Sequence, residues 1–582
     1  MTNNEEVFFA DLIEAILKEK NPSKTKLNQL KISLSKKHNF KRVVKNPEII
    51  AHSNDSQRNQ IIKILNIKPI RELSGVTVVA LFAKPYSCPH GKCMYCPGGP
   101  DSPYGDTPQS YTGMEPAALR AIRNNYDPYL QVFNRLEHYC INGHIPDKLE
   151  LIFMGGTFPS LDKKYRDEFT NFVYKAINDF GDEFIVLNER KEKIVNYNKF
   201  NEFFESKSAL SSVKRSLDIR KKVLELKNRN VKDYNFEINR NETAVIRSIG
   251  LTIETKPDWA LEKHCNEALE YGCTRFEVGV QTLNENCLKK TNRGHTLEDT
   301  KKAFQVMKDM CFKINAHMML GLPASNLEID KQSLIDLFNF PDFRPDMLKF
   351  YPCLVVRGTP LFNMWEKGLF KPIDTKEAAR IIAEVYEYLP RYVRVMRVQR
   401  DIPTTEINDG IQNSNLREFV EEEMKEKNIE SKDIRAREIG IREILGYKAG
   451  NFEIKTEQYD SSGGVDYFID AADENDTLIG FIRLRFPGKI GFRKEITNRT
   501  ALIRELHVYG QTLQVGNKDE NVGEEISKVQ HKGWGRKLLE RAEHIAKENG
   551  YEKMAIISGV GVREYYRKFG YVLEGPYMVK EL

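Results

Sequence analysis

Val76-Thr-Val-Val-Ala-Leu-Phe-Ala-Lys-Pro-Tyr-Ser-Cys-Pro-His-Gly-Lys-Cys-Met-Tyr-Cys-Pro-Gly-Gly99 runs an apolar strand directly into three clustered cysteines, Cys88, Cys93 and Cys96. Three thiolates in one loop can hold iron and leave a coordination position for a substrate. Pro89, Gly91, Pro97, Gly98 and Gly99 let the backbone wrap around a metal. Spacing alone leaves other readings open. A structural zinc could take the three cysteines with His90 as fourth ligand. A plant-type two-iron ferredoxin uses the same four-then-two spacing, with Cys140 as the first candidate for its distant cysteine. Cys93 and Cys96 alone could be a dithiol redox pair.

Outward from this loop, strand-like apolar runs alternate with helical patterns: 76–82, 149–154, 249–253, 276–280, 314–320 and 347–351. Such alternation predicts a parallel sheet with crossover helices. The segments after the runs are the cysteine loop, Gly155-Gly-Thr-Phe158, Glu254-Thr-Lys-Pro257, Gln281, Gly321-Leu-Pro323 and Pro352. Ligands of parallel α/β folds collect at these carboxyl ends. Six units predict an α/β fold built on an open, three-quarter barrel. Gly and Pro punctuate any strand end, so no single loop is decisive. A cysteine loop, a glycine pair and an acid on one rim make a site.

The 582 residues exceed one ordinary domain, and 40% hydrophobic content supplies several cores. The remaining cysteines, Cys140, Cys265, Cys273, Cys287, Cys311 and Cys353, are scattered, unlike a secreted disulfide framework. That predicts a reducing, cytoplasmic setting. No signal-peptide pattern opens the chain, and no run approaches the ~18 apolar residues of a membrane span. The net charge of +6 hides an asymmetry: residues 18–47 hold ten Lys or Arg against Glu19 alone, leaving the rest slightly acidic. Following an amphipathic pattern in Val7, Phe8, Leu12, Ile13, Ile16 and Leu17, this stretch predicts a helical region that meets a polyanion, or else a solvated face.

The run Cys88–Gly99, with Met154-Gly-Gly-Thr-Phe158, Gly250-Leu-Thr-Ile-Glu-Thr-Lys-Pro-Asp258, Glu277-Val-Gly-Val-Gln281 and Val398-Gln-Arg-Asp-Ile-Pro403, resembles the Elongator catalytic-subunit family over nearly the whole chain. These are radical S-adenosylmethionine (SAM) enzymes that modify wobble uridine in transfer RNA. The four-residue first cysteine gap, against the usual three, is that family's own departure. The resemblance implies that Cys88, Cys93 and Cys96 each ligate an iron of a [4Fe–4S] cluster, and that SAM chelates the remaining iron through its amino and carboxylate groups. Gly155, Gly156 and Thr157 would hold the methionine amino group, with Glu254 and Gln281 as further contacts. Each of these last two could instead bond a neighbouring loop.

Farther on, residues 478–486 and 502–509 read as strands, and Gln530-His-Lys-Gly-Trp-Gly-Arg-Lys-Leu-Leu539 opens a helix whose Gly-rich N-terminus suits a pyrophosphate. With Ile557-Ser-Gly-Val-Gly-Val-Arg-Glu-Tyr-Tyr-Arg-Lys-Phe-Gly-Tyr571, this part resembles the GNAT acetyltransferase fold found in the same family. By that resemblance Glu505, Leu506, His507 and Val508 would run beside the pantetheine arm of acetyl-coenzyme A. Trp534, Gly535 and Arg536 would cradle the pyrophosphate, and Tyr566 would protonate the departing thiolate. Lys148, ahead of the second strand, would contact acetyl-coenzyme A; physics alone makes it a solvated strand-entry lysine.

The expected organisation is a basic helical transfer-RNA-binding region over 1–70 and a radical SAM core over 71–400. A linker over 401–430 and a GNAT-like domain over 431–582 follow. Residues 185–240 are charged and are expected as a surface insertion, partly flexible. Relatives can carry a cysteine cluster before the acetyltransferase module; Asp433-Ile-Arg-Ala-Arg-Glu438 has no cysteine, so no structural zinc is expected there. The implied activity is transfer-RNA carboxymethyluridine synthesis: an acetyl group from acetyl-coenzyme A reaches C5 of the wobble uridine in the anticodon stem-loop. An electron donor would reduce the cluster, and the chain would act alone or as a homodimer. Arg391, Arg394, Arg397 and Arg400 would assist RNA binding unless spent in internal ion pairs. Two other classes compete: a protein lysine acetyltransferase with a structural iron–sulfur domain, and an RNA-binding assembly subunit.

Overall fold

Strand-forming runs such as Phe276–Val280 have almost every side chain buried, as expected of a sheet covered by helices on both faces. The computed structural model describes residues 3–19, 22–42, 44–65, 75–100, 102–189, 191–206, 213–509 and 533–582. By the density of contacts these form two compact units.

The first unit takes residues 1–79, 127–149 and 171–247. Its helices Asn3–Leu17, Lys24–Lys37, Asn46–His52 and Asp55–Leu65 bury one cluster built from Phe8, Phe9, Leu12, Ile13, Ile16, Leu27, Ile49, Ile50 and Ile61. Val7, expected on the apolar face, is 49% exposed. Part of the basic stretch is neutralised locally, as Lys37 pairs with Asp11 and Lys26 with Glu19. Lys24, Lys36 and Lys41 stay exposed. The stretch 185–240 is more than a charged surface loop. A hairpin, Ile185–Leu187 with Lys193–Val195, is followed by helices Tyr197–Phe204, Val213–Lys227 and Tyr234–Asn241. Phe200, Phe204, Val223, Leu226 and Ile238 are buried, because the apolar positions recur at helical spacing between the charges.

The second unit takes residues 80–126, 150–170 and 248–582. It is built on a seven-stranded sheet with strands in the order β1 (Thr77–Phe82), β2 (Lys148–Met154), β3 (Arg247–Thr255), β4 (Cys273–Gln281), β5 (Lys313–Leu320), β6 (Met347–Pro352) and β7 (Arg394–Arg397). The pairings from β3 through β7 are all parallel. Chain order equals spatial order, so each helical crossover advances one strand and the sheet curls into the open barrel expected. The seventh strand was not expected. It is four residues long, Arg394-Val-Met-Arg397, with only Val395 fully buried, so it lacks a long apolar run. The expected linker region 401–430 contains the helix Leu416–Glu426, which buries Leu416, Val420 and Met424.

A second seven-stranded sheet follows in the order β8 (Glu453–Ser461), β9 (Gly464–Ala472), β10 (Leu478–Phe486), β11 (Thr500–Val508), β12 (Lys553–Ile557), β14 (Tyr577–Glu581) and β13 (Val572–Glu574). All pairings are antiparallel except β11 with β12. The helix Trp534–Glu548 packs Leu538, Leu539, Ala542 and Ile545 into this sheet's core. Where the two sheets' elements meet, inside the second unit, the contact is ionic and dry. Asp346, just before β6, takes both guanidinium nitrogens of Arg504 on β11, at 2.7 and 2.5 Å. Asp466 on β9 accepts from Lys308 at 2.8 Å and Arg485 at 3.0 Å, and Arg485 also holds Asp309. All six side chains are 0–1% exposed. Among the described residues no helix is long and apolar enough to cross a membrane.

Candidate functional site

The carboxyl ends of β1 to β7 surround a recess of about 950 Å³, counting the part open to solvent, lined by Cys88, Cys93 and Cys96 together with Glu254, Gln281 and Gly156. The rim predicted from strand ends is thus a single pocket. Cys93 and Cys96 are buried and Cys88 is half-buried. Burial, then the neighbouring Cys96 and Cys93, push the Cys88 thiol up to about 12. A thiol so placed gives up its proton when a bound cation stabilises the thiolate, which is the chemistry of a metal or cluster site.

The residues around the sulfurs fit a cluster. The Ser110 N–H donates to Cys96 Sγ at 3.1 Å, and Gln109 Oε1 lies 3.2 Å from the same sulfur. His90 Nε2 is 3.2 Å from Cys93 Sγ while its Nδ1 faces Lys256 Nζ at 3.0 Å. With Lys256 as donor to Nδ1, the imidazole proton sits on Nε2 and points at sulfur. Burial, then Lys256, lower the His90 pKa to about 4, which keeps the ring neutral. Both ring nitrogens are thus engaged, which argues against His90 as a fourth zinc ligand. Among the described residues no three His, Cys, Asp or Glu side chains gather closely enough for one ion. A cluster, being larger, asks its thiolates to stand farther apart. Cys140, the ferredoxin candidate, is fully buried in the helix Pro128–Ile141 of the first unit.

Glu254 is held from two sides. Its Oε1 accepts from Tyr111 Oη at 2.7 Å, and its Oε2 accepts from the Gly155 and Gly156 N–H groups at 3.1 and 3.4 Å. Gly156 has φ +92, and a Cβ there would lie 2.9 Å from the Gln109 Cβ. Gly156 thus lies in close approach to Gln109, and the N–H groups of the glycine pair face a carboxylate. The Thr157 N–H donates to Tyr86 Oη at 2.9 Å. Burial, then Glu277, raise the Glu254 pKa. Gln281 closes β4 with φ +74, a left-handed conformation that costs a non-glycine residue about 1 kcal/mol or more. Its Oε1 is buried with no hydrogen-bond partner among the described residues. Such an acceptor fits the ammonium end of an amino acid.

Deeper in the pocket Glu277 pairs with Lys349 and accepts from His317 Nε2 at 3.0 Å. Burial alone would push Glu277 up, but Lys349 and His317 hold it well below the usual carboxylate range. Neither Tyr111, Gln109 nor this trio was expected from sequence; isolated polar residues within strands carry no spacing signal. Of the four arginines considered for RNA, Arg391 pairs with Asp470 and Asp476, and Arg394 with Glu438. Arg397 pairs with Asp401, and Arg400 donates to the Ser110 carbonyl at 2.5 Å, both lining this pocket. The ion-pair alternative therefore holds for Arg391, Arg394 and Arg397.

In the second sheet, the β11–β12 register ends at Ile503–Ile556, whereas β11 continues through Val508, paired with β10 on its other edge. Among the described residues the backbone of Glu505, Leu506, His507 and Val508 has no strand partner on the β12 side, and such an edge suits an amide-bearing ligand. The pantetheine arm is such a ligand. Glu505 accepts from Arg483 Nε at 2.9 Å, and His507 stacks on Phe481. Helix Trp534–Glu548 starts from Gly533 at φ +72, and Trp534 Nε1 is buried with no partner among the described residues. A Cβ at Gly535 would lie 2.5 Å from Tyr565 Oη, so glycine is required there. Arg536 is exposed and reaches Glu540 at 2.7 Å. Tyr566 is buried, and burial keeps its hydroxyl protonated. Gln530, His531 and Lys532 lie outside the described residues. Lys148 opens β2 and belongs to the first unit, at the end of the strand opposite Gly155.

Comparison with known proteins matches this arrangement in order. Residues 6–73 match the ELP3 N-terminal domain and 85–331 the Radical SAM superfamily. Residues 345–426 match the Radical_SAM C-terminal domain, and 441–571 the acetyltransferase (GNAT) family. The chain is 42% identical to the tRNA uridine(34) acetyltransferase of Methanocaldococcus jannaschii, over 98% of this chain and 97% of that one. It is 38% identical to Elongator complex protein 3 of Saccharomyces cerevisiae, over 96% and 92%. The solved structure of Methanocaldococcus infernus Elp3 with an N-terminal deletion of residues 1–46 superposes with a TM-score of 0.68 at 37% identity, covering 88% of this chain and all of that one.

Proposed function

The chain belongs to the family of tRNA uridine(34) acetyltransferases and Elongator complex protein 3, and from that membership we propose that it builds the 5-carboxymethyl group on the wobble uridine of transfer RNA from the acetyl unit of acetyl-coenzyme A. It is an acyltransferase that uses a [4Fe–4S] cluster, SAM and acetyl-coenzyme A. The observation that supports the reading is the presence, in one compact unit, of a three-cysteine pocket and of a strand, Glu505–Val508, that runs on past its register with β12. A binding subunit needs neither. Among the relatives named above none is named for lysine acetylation.

When bound, the cluster and SAM supply the one-electron chemistry that removes a hydrogen atom from the acetyl methyl. In this reading Cys88, Cys93 and Cys96 hold three irons and leave the remaining one to SAM. An ammonium needs acceptors, so the Glu254 carboxylate, the Gly155–Thr157 carbonyls and Gln281 Oε1 receive the methionine amino group. Residues Glu505–Val508 pair with pantetheine, and Trp534, Gly535 and Arg536 face the pyrophosphate. Tyr566 gives its proton to the departing coenzyme A thiolate when water opens the thioester. Lys148 contacts acetyl-coenzyme A, and the basic helices of region 1–70 hold the anticodon stem-loop. The radical SAM core spans 71–400, and the GNAT-like domain spans 431–582 after the 401–430 connection. The protein works in the cytoplasm, alone or as a homodimer, with a separate electron donor.

Nucleoside analysis of transfer RNA treated with pure protein, SAM, acetyl-coenzyme A and reductant is expected to reveal 5-carboxymethyluridine. Its absence while the cluster is intact would sink the reading. Glu254→Gln removes a charged acceptor worth about 1.5–3 kcal/mol. SAM binding, measured by calorimetry on the cluster-loaded protein, is expected to weaken about tenfold to a hundredfold. An unchanged affinity would remove Glu254 from the amino-group site.

A further inference from the structure

The cysteine loop is gripped by a second segment, Thr291–His295, that follows the helix after β4. The Met94 N–H donates to the Thr291 carbonyl at 3.0 Å, and Asn292 Nδ2 donates to the Lys92 carbonyl at 3.0 Å. Gly294 sits at φ +74 against His90, whose Cβ would be 2.5 Å from any Cβ placed there. Between these anchors Arg293 turns inward, 8% exposed, with Nη1 at 3.6 Å from Cys93 Sγ and Nη2 donating to the Gly279 carbonyl at 2.8 Å. A Cβ on Gly279 would lie 2.4 Å from that Nη2, so β4 carries a glycine where the guanidinium needs room. Lys256, 1% exposed, stands behind His90, which relays its hydrogen bond to the same sulfur.

We propose that Arg293, assisted by Lys256 acting through His90, is a positioning residue that sets the reduction potential of the cluster by presenting buried positive charge and hydrogen-bond donors to the Cys93 sulfur. The inference rests on the cluster reading above. Reduction adds one electron to the cluster from a low-potential one-electron donor, dithionite in the assay, and neither makes nor breaks a bond in the protein. The added negative charge spreads onto the ligand sulfurs, so a fixed cation and N–H donors at Cys93 stabilise the reduced form more than the oxidised one. In a dry surrounding that preference is weakly screened. A guanidinium keeps its charge at every working pH. Held by its neighbours rather than by solvent, Arg293 offers the charge without rearranging. Cys96 Sγ, by contrast, takes its hydrogen bond from the Ser110 N–H at 3.1 Å.

The test is a dye-mediated redox titration, read by electron paramagnetic resonance of the reduced cluster, on anaerobically reconstituted full-length parent, Arg293→Gln, Arg293→Lys and Lys256→Gln, each with iron and sulfide measured. Arg293→Gln is expected to shift the potential to more negative values at full iron content. Arg293→Lys is expected to restore most of the parent value, and Lys256→Gln to give a smaller negative shift. A parent-like potential in Arg293→Gln at full iron would overturn the proposal, as would an Arg293→Lys shift as large as that of Arg293→Gln. If Arg293→Gln holds no iron, the other two variants decide: the proposal stands on a parent-like Arg293→Lys with a negative shift in Lys256→Gln, and falls otherwise. A parent that binds no iron overturns both this proposal and the cluster reading. A loaded parent with unmoved variants overturns this proposal alone.

Discussion

Cys93→Ala is expected to lose the bulk of its iron and all measurable carboxymethyluridine formation while still folding and binding acetyl-coenzyme A. Cys93 has His90 and Arg293 both aimed at its sulfur. Removing it leaves two thiolates, too few for a site-differentiated four-iron cluster, which takes three protein sulfurs. Alanine is smaller and adds no charge, so the fold has little to lose. Iron and sulfide analysis, thermal unfolding and acetyl-coenzyme A binding on one preparation check each part. A variant that retains the parent's iron would remove Cys93 from the ligand set. One zinc per parent chain in place of iron would restore the structural-zinc reading of the loop.

Asp346→Ala is expected to cost about 3–5 kcal/mol of stability, the usual penalty for stripping one partner from a buried ion pair. The residue accepts from both ends of the Arg504 guanidinium, and its loss leaves a fully buried cation with the longer Asp466 contact at 3.2 Å. Chemical denaturation at neutral pH measures the loss. The network also fixes the acid limb of stability. Burial by itself would raise Asp346 and Asp466, but Arg504 and the other cations hold both well below their ordinary 3.8. Groups with depressed folded pKa values contribute stability that is complete above the unfolded value and drains away as pH falls below it. Stability is therefore expected to fall from about pH 4 downward, by up to about 1.4 kcal/mol per pH unit for each group. Asp346→Asn should shallow that slope, and an unchanged slope would show that other carboxylates govern it.

How far the sequence could be read depended on whether an element announces itself by pattern. Six core strands were visible because their runs are dominated by apolar residues, with isolated polar residues such as Glu150, Glu277 and Lys349 among them. β7 was not, because its arginines face ion partners rather than lipophilic neighbours. β8 stayed hidden for a related reason: it is an edge strand reading Glu-Ile-Lys-Thr-Glu-Gln-Tyr-Asp-Ser, with a single buried residue, Ser461. The cysteines and the glycine pair were legible as a local motif with fixed spacing. Tyr111, Arg293 and Lys256 were not, since they reach the pocket from loops and strand ends up to two hundred residues away and share no spacing with it. The one local hint for Arg293 was its place beside Gly294, in a polar turn just after a strand and short helix.

The ion lattice between the two sheets also bears on inheritance. Lys308, Asp309 and Asp346 come from one side, and Asp466, Arg485 and Arg504 from the other, so each module on its own carries bare charges that make sense only in the other's presence. A chimera that borrowed an acetyltransferase module from a distant relative would have to import the matching half of this lock. The two enzymatic halves are therefore bound to change together, and a lineage could not readily exchange one as a spare part.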